Sequence, residues 1–351
     1  MAENMARNLI NTYDLAQLNA IIKQRPPKGG FFSRHFFAKD KRFYETTKIE
    51  MDIAYGTRKV AAYVGNGQQM KKMRKDGFQT MLIEIPQMKE HMPLTVEDLE
   101  KRGYGENPFS GRSMAERALE LQAQQLEELA DAIDRRKEVQ AAEVLSTGKA
   151  TIVGDGINQT IDLDFRNVIA TDWGNSSTDI FADLENGVSI SIKQGFHRPN
   201  TMVMDKTAWM KFRNNPSTKE LYNRLNVNVS DARIKILDET ARFVGYIAQL
   251  GVEMYVIEDW YLDDWTDPAK PIEKPMIPDG TAILLSTYMP MIDFNGANTI
   301  LNQATGTFGT FGSELVVDVW TEKNPDIRYL GVLARNVKLP VNNRSWAVLS
   351  V

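Results

Sequence analysis

The sequence predicts an α+β protein of about two domains, organised around one unusually long helix. The 351 residues are enough for two hydrophobic cores, and 42% of them are apolar. Residues 113–147 contain no glycine or proline and are typical of a single helix. Apolar and polar residues alternate within residues 47–85, and apolar strands recur between residues 252 and 351. Together, one long helix, alternating strands and recurring apolar strands predict the α+β fold class.

The long helix is predicted to begin at a capping box and to end at a glycine. Ser113 is followed three residues later by Glu116, and Gly148 comes after the last helical residue. At a rise of 1.5 Å per residue, such a helix would be about 50 Å long. Because a compact domain of this size does not need such a helix, we expect it to bridge parts of an elongated molecule.

The apolar stripe of this helix is interrupted at Arg136 and Lys137. We expect the two ends to pack against different partners and the middle to face solvent or another chain. A coiled coil is the alternative, but the heptad pattern is not sustained for long enough. The stripe consists of Leu119, Leu126, Leu129, Ala130 and Ile133 before the interruption, and of Ala141, Val144 and Leu145 after it.

Composition excludes several classes of function. With 42 basic and 46 acidic residues the formal charge is -4, so there is no overall attraction to nucleic acid or to an anionic membrane. The chain has no cysteine, which excludes disulfides, thiolate metal sites and a cysteine nucleophile. No stretch approaches the roughly 20 apolar residues of a membrane span, and residues 1–14 lack the apolar run of a signal peptide. We therefore expect no membrane association.

The N-terminal residues do not read as the start of a compact domain. A proline- and glycine-rich turn at residues 25–30 is followed by four phenylalanines, Phe31, Phe32, Phe36 and Phe37. Such a cluster needs a surface that buries it. Since the segment has little core of its own, we expect the rings to lie against a neighbouring element or subunit.

Residues 47–85 predict a long two-stranded excursion with a charged middle. Alternating apolar residues form its two arms, and Gly65 and Gly67 lie between them. Its basic run is Lys71, Lys72, Arg74 and Lys75, with Met73 inside it. A solvated charge run and a contact with another subunit are both open interpretations of these residues.

The remaining elements are predicted from short local signals. A hairpin is expected within residues 151–165, and a helix from the four-residue repeat of apolar residues between 180 and 192. Asp205 is expected to cap a helix that carries Trp209 and Phe212. Strands are expected at residues 202–204, 252–257, 281–285, 315–319, 329–334 and 346–351.

The acidic aromatic segment 258–267 is the one candidate for catalysis. Its carboxylates, Glu258, Asp259, Asp263 and Asp264, suggest either a paired-carboxylate hydrolase or a calcium loop. The segment lacks the glycine and the terminal glutamate of an EF-hand, and neighbouring aspartates on a surface loop are usually only solvated. We therefore expect no catalytic site.

No cofactor or metal site is expected elsewhere. Residues 306–312 are glycine-rich but lack the Lys-Ser/Thr of a phosphate-binding loop, so a flexible loop is expected there. The histidines His35, His91 and His197 are far apart and have no ligand-spaced partners. Structural or surface roles are the better interpretation of them.

The order of these features resembles the major capsid proteins of lambda-type tailed bacteriophages. The resemblance covers nearly the whole sequence and depends on several weak motifs in the right order. The motifs are the phenylalanine cluster, the two-stranded loop, the helix end at residues 142–149, the strand-helix unit at residues 203–209, and residues 277–281 and 320–328 before apolar strands.

This resemblance implies the Hong Kong 97-type capsid fold. It implies that an N-terminal arm and an extended loop contact neighbouring subunits, while a spine helix and long strands form a peripheral domain beside an axial domain. The implied segments are an arm (1–38), an extended loop (39–88), a peripheral domain (89–174) with the spine helix (113–147), an axial domain (175–312) and closing strands that return to the peripheral domain (313–351).

The implied function is that of a major capsid protein in the virion. It would self-assemble as hexamers and pentamers in the bacterial cytoplasm and enclose double-stranded DNA without sequence specificity. Scaffold, portal and decoration proteins are implied partners. An encapsulin-like cargo compartment of the same fold is the alternative, and a carboxylate hydrolase at residues 258–267 is a further one. The candidate subunit-contact residues are Phe31, Phe32, Phe36, Phe37, Lys71, Lys72, Arg74 and Lys75.

Overall fold

A computed structural model gives the fold, and it describes residues 18, 22, 25, 30–54, 59, 78–100, 114–154, 156–219, 240–267, 269–302, 306–323 and 326–351. Its helices are α1 (Phe31–His35), α2 (Val96–Glu100), α3 (Met114–Thr147), α4 (Ile180–Gly195) and α5 (Lys206–Asn214). Its strands are β1 (Asp40–Tyr44), β2 (Lys48–Ala54), β3 (Phe78–Glu84), β4 (Gln87–Thr95), β5 (Lys149–Gly154), β6 (Ile157–Asp162), β7 (Val168–Ala170), β8 (Thr201–Met204), β9 (Ala241–Ile247), β10 (Val252–Ile257), β11 (Trp260–Asp263), β12 (Ile272–Pro275), β13 (Thr281–Leu285), β14 (Met291–Gly296), β15 (Asn298–Asn302), β16 (Thr307–Phe311), β17 (Val316–Lys323), β18 (Asp326–Pro340) and β19 (Ala347–Ser350).

The long helix is present as predicted. α3 has 34 residues and ends at Gly148, whose φ of +73° is the left-handed conformation that a helix-ending glycine adopts at low cost. A Cβ atom at this position would overlap Phe165, which gives a second reason for glycine. Ser113, the predicted N-terminal cap, lies outside the described residues.

The two ends of α3 pack against different partners, which confirms that prediction. Leu126, Leu129 and Ile133 are buried against Leu330 and Val332 of β18. The last turns contribute to the largest core cluster, which the closing part of the chain completes with a tryptophan ring. That cluster includes Ala141, Ala142, Val144, Leu145 and Trp346.

The middle of α3 is covered by the chain itself, so the prediction that it faces solvent or another chain is wrong. Lys137 is buried 3.6 Å from Asp134, and the Arg136 guanidinium lies over the Trp265 ring, 4.1 Å from its centroid. Burial lowers the pKa of both Lys137 and Arg136. The partners are distant in sequence, so periodicity within the helix could not reveal them.

A five-stranded sheet, called the β18 sheet here, forms one half of the molecule. β18 is 15 residues long and pairs with three strands along its length. Residues 327–335 pair with β4, residues 326–333 pair with β17, and residues 336–340 pair with β14. β1 adds to the outer edge of β14 in parallel orientation.

A six-stranded sheet forms the second half, in the order β7-β19-β13-β8-β10-β9. α4 and α5 pack on it through Ile180, Leu184 and Phe212, which are buried with residues of β8 and β13. Asp205 caps α5 as predicted, accepting hydrogen bonds from the Thr207 and Ala208 amides at 2.7 and 3.0 Å.

Strand pairing crosses the predicted segments in two places. β14 lies within the predicted axial segment 175–312 but pairs with β1 and β18. β19 lies within the predicted closing strands, yet it sits between β7 and β13 in the six-stranded sheet. Both differences come from pairing between distant strands, for which the sequence carries no local signal.

β16 is an ordered strand within residues 306–312, where the sequence predicted a flexible glycine-rich loop. β15 and β16 pair antiparallel, with Leu301 opposite Phe308. Ile300 is buried against Val316 and Leu333, so the hairpin covers one end of the β18 sheet. The prediction was based on glycine content and was wrong, because Gly309 is a residue of strand β16.

We expect Leu129→Asp to prevent stable folding, because it places a carboxylate in the core between α3 and β18 at a cost of several kcal/mol. Ala132→Asp is the matched control, since Ala132 is exposed on the same helix. Soluble yield and urea unfolding followed by circular dichroism measure both variants. A Leu129→Asp protein as stable as the Ala132→Asp protein would contradict the observed packing.

Candidate subunit-contact surfaces

The four phenylalanines of the arm are buried within the chain itself. Phe31, Phe32, Phe36 and Phe37 all lie in the largest core cluster, and the Phe31 ring is 5.3 Å from that of Tyr255. The rings are therefore covered by later elements of their own chain, which is one of the two possibilities that the sequence left open. A contact between this segment and a neighbouring subunit stays a prediction.

A buried glutamate of α3 fixes the start of α1. The Glu138 carboxylate accepts hydrogen bonds from the amides of Phe32 at 2.6 Å and Ser33 at 2.9 Å. These are amides that have no partner inside a short helix. Burial raises the pKa of Glu138, and the hydrogen bonds from Ser33 and Phe32 oppose that shift. A Cβ atom on Gly30 would collide with the Glu138 side chain, so the close approach needs glycine.

A second contact ties the arm to α3 further toward the N-terminus. Arg25 forms ion pairs with Asp131 and, at 3.0 Å, with Asp134. Leu18 and Ile22 are buried in the cluster between α3 and β18. The described part of the arm therefore lies along the helix of its own chain.

A buried polar cluster joins β14, β18 and α3. The Lys338 ammonium lies 3.2 Å from the Asp293 carboxylate, and both side chains are almost fully buried. Asn336 donates hydrogen bonds to Asp293 and, at 3.0 Å, to Asn295. The Lys338 amide donates to Gln140 of α3 at 3.2 Å. The sequence did not predict this cluster. Asp293 and Lys338 come together only through the register of β14 and β18, and no local sequence pattern indicates that register.

The predicted two-stranded excursion is confirmed at its base. β2 and β3 pair antiparallel from Lys48 opposite Glu84 to Ala54 opposite Phe78. Ile49, Met51, Ile83 and Ile85 anchor the ribbon in the largest core. Within the described residues, neither strand pairs with any other strand. The basic run Lys71, Lys72, Arg74 and Lys75 lies outside the described residues.

The carboxylates proposed for catalysis are mostly in ion pairs. Glu258 is 3.1 Å from Arg242, and Asp259 is 3.5 Å from Arg135. Asp263 is buried 2.5 Å from Lys274. Burial by itself would raise the pKa of Asp263, but the hydrogen bonds from Lys274 and Thr266 together outweigh burial and lower it. This arrangement is a set of separate structural pairs.

Metal-binding clusters and membrane-spanning helices are both missing from the part of the chain that the structure describes. No group of three His, Asp or Glu side chains there could hold a metal ion. None of its helices is long and apolar enough to cross a membrane. His91 contacts the rings of Trp320 and Tyr329, which is the structural role expected for it.

The sequence has relatives that match most of its length. A profile of the family described as phage major capsid protein E matches residues 14–346. The chain belongs to this family. Two relatives are each 26% identical over 295 residues, covering 80% of this chain and 82% of the relative. They are the major capsid protein of Enterobacteria phage P21 and the P21 prophage-derived major head protein of Escherichia coli O6:H1 strain CFT073.

Two solved structures have a similar fold. A prophage capsid protein of E. coli CFT073 matches with a TM-score of 0.67 at 21% identity, over 98% of both chains. A phage-related protein from Bordetella bronchiseptica RB50 matches with a TM-score of 0.51 at 12% identity, over 95% of this chain and 94% of that one. The Hong Kong 97-type fold is confirmed, and the family makes this chain a phage or prophage major capsid protein.

We expect Lys338→Met to lower the free energy of unfolding by about 3–5 kcal/mol, because it leaves Asp293 as an unpaired buried charge. The double variant Lys338→Met with Asp293→Asn removes both charges and keeps an acceptor for Asn336, so its loss should be much smaller. Denaturant unfolding of the two variants tests this expectation. Equal losses would show that charge pairing is not what the cluster contributes.

Proposed function

We propose that this protein builds an icosahedral phage head as hexamers and pentamers around packaged double-stranded DNA. The observation that carries the proposal is the match of the capsid family to residues 14–346. The formal charge of -4 is consistent with a shell that does not adhere strongly to its own genome. We further propose assembly in the bacterial cytoplasm with a scaffold, a portal and a decoration protein as partners.

The two sheets suggest how the shell domains divide. We propose that the β18 sheet and α3 form the peripheral domain, and that the six-stranded sheet with α4 and α5 forms the axial domain. This keeps the arm (1–38) but transfers β1, from the extended loop (39–88), and β14 to β16, from the axial segment, to the peripheral domain. β7 and β19 move to the axial domain, because strand pairing is the stronger criterion.

Subunit contacts are proposed for the ribbon and for the arm. The β2–β3 ribbon has no other strand partner among the described residues, and its Leu82 side chain is exposed. Unpaired edges and exposed apolar groups are typical of surfaces that another chain covers. The basic run at residues 71–75 would then contact a neighbour, while Phe31, Phe32, Phe36 and Phe37 mainly fix the arm to its own subunit.

Catalysis is not part of the proposal. Glu258, Asp259 and Asp263 each have a basic partner, which supports a structural role for the acidic segment. An encapsulin-like compartment remains the second candidate because it would have the same fold. The contents of purified shells distinguish the two, since a head contains double-stranded DNA and an encapsulin contains protein cargo.

We expect the purified protein, alone or with its scaffold, to form capsomers or closed shells. Size-exclusion chromatography with light scattering measures the particle mass, and electron microscopy shows the shape. The Leu129→Asp variant provides the negative control, because a subunit without a folded spine should not assemble. A monodisperse monomer at high concentration, both with and without scaffold, would contradict the proposal.

A further inference from the structure

The β11–β12 hairpin has an inner face that packs on the spine helix. Tyr261 and Asp263 lie on this face together with Lys274, which is opposite Tyr261 in the strand register. Tyr261 stacks on Trp265, and the Arg136 guanidinium lies over the Trp265 ring. Arg135 also donates a hydrogen bond to the Trp260 carbonyl at 3.1 Å. The hairpin is thus held firmly on the middle of α3.

The outer face of the same hairpin exposes large apolar groups. Trp260 and Leu262 alternate with the inner residues along β11, and both are 50% exposed. Pro275 lies opposite Trp260, and Glu273 lies opposite Leu262. A tryptophan and a leucine side by side on a fixed hairpin are the kind of anchor that protein interfaces bury.

Carboxylates without basic partners surround these apolar groups. Asp264 follows β11 at the next outward position, and Glu273 is exposed on β12. Glu90 of β4 lies close enough to Asp264 for the two charges to interact, and burial together with Asp264 raises the pKa of Glu90. Among the described residues, none of these three carboxylates forms an ion pair. The face therefore combines exposed apolar area with uncompensated negative charge.

We propose that this outer face binds the basic segment 70–75 of a second copy of the chain. The segment has four cations, at Lys71, Lys72, Arg74 and Lys75, which complement the carboxylates of the hairpin. This inference rests on the proposed function, because it requires neighbouring subunits.

The apolar residues of the segment also fit the receiving face. Met70 and Met73 are interleaved with its cations. Methionine adapts to irregular apolar surfaces and makes favourable contacts with aromatic rings, and an arginine can lie over a tryptophan face. Trp260 and Leu262 thus receive side chains of matching chemistry.

Chain length permits the contact. Residues 55–77 connect the two strands of a ribbon that is anchored in the core at Ile49 and Ile83. Going out and back, these 23 residues can extend at most about 40 Å beyond the strand ends. The segment can therefore extend well beyond its own ribbon, and this length sets the upper limit on how far away the receiving face of the second copy can lie.

Carbodiimide coupling of assembled shells tests the proposal directly, because it joins a lysine amine to a carboxylate without a spacer. Shells are assembled from an equal mixture of ¹⁴N- and ¹⁵N-labelled chains. We expect coupled peptides that join Lys71, Lys72 or Lys75 to Asp264 or Glu273, with about half of them carrying mixed labels. Coupling of these lysines only within one chain, or only to other carboxylates, would overturn the proposal.

Two sets of variants provide the controls. Asp264→Asn with Glu273→Gln removes the acceptors with little change in size and should abolish the coupled peptides, whereas Asp279→Asn, at another exposed acidic position, should not. Persistence of the same lysine pattern in the first variant would count against the assigned site. If the parent protein forms no shells at all, the proposed function itself fails, and this contact fails with it.

Charge exchange gives an independent measurement. Changing Lys71, Lys72, Arg74 and Lys75 to Glu should raise the concentration needed for assembly about tenfold or more at low salt, and much less at 1 M salt, where the charges are screened. Adding Glu90→Lys, Asp264→Lys and Glu273→Lys to that variant should restore assembly. Circular dichroism confirms that each variant is folded, and a folded combined variant that assembles no better than the first would contradict the contact.

Discussion

The packing of one long helix on one long strand is the constraint on which the rest of the structure depends. α3 has 34 residues and β18 has 15, and both are longer than the usual helix and strand. Each therefore passes through more than one packing region. The arm and the β11–β12 hairpin lie on α3, while β4, β14 and β17 take their register from β18.

Buried charges are concentrated where these two elements meet. Glu138 fixes α1, and the Lys338–Asp293 pair joins β18 to β14 beneath α3. Buried ion pairs add little net stability compared with apolar residues of similar volume, but a buried charge without its partner is costly. A shift of the arm or of the strands by one residue would break these pairs. The charges thus favour one arrangement of arm, helix and sheet over its neighbours in register.

Sequence predicted the elements whose signal is local and missed the contacts between distant elements. The spine helix, the Asp205 cap and the β2–β3 pairing follow from capping, periodicity and alternation, and the structure has all of them. The burial of Phe31 to Phe37 depends on later elements, and the Asp293–Lys338 pair depends on strand register. No local pattern indicates those partners, which is why the sequence left open what covers the phenylalanines and predicted a more exposed middle of α3.

The place of β19 within the six-stranded sheet has a consequence for synthesis. β19 lies between β7 and β13, so residues that come last among the strands occupy an interior position of the sheet. Domains fold as the chain emerges from the ribosome, beginning with the N-terminal parts. This sheet cannot close until the chain has been made as far as Ser350. Until then β7 has no strand partner and β13 pairs only with β8, so the edge of the sheet that β19 completes stays open.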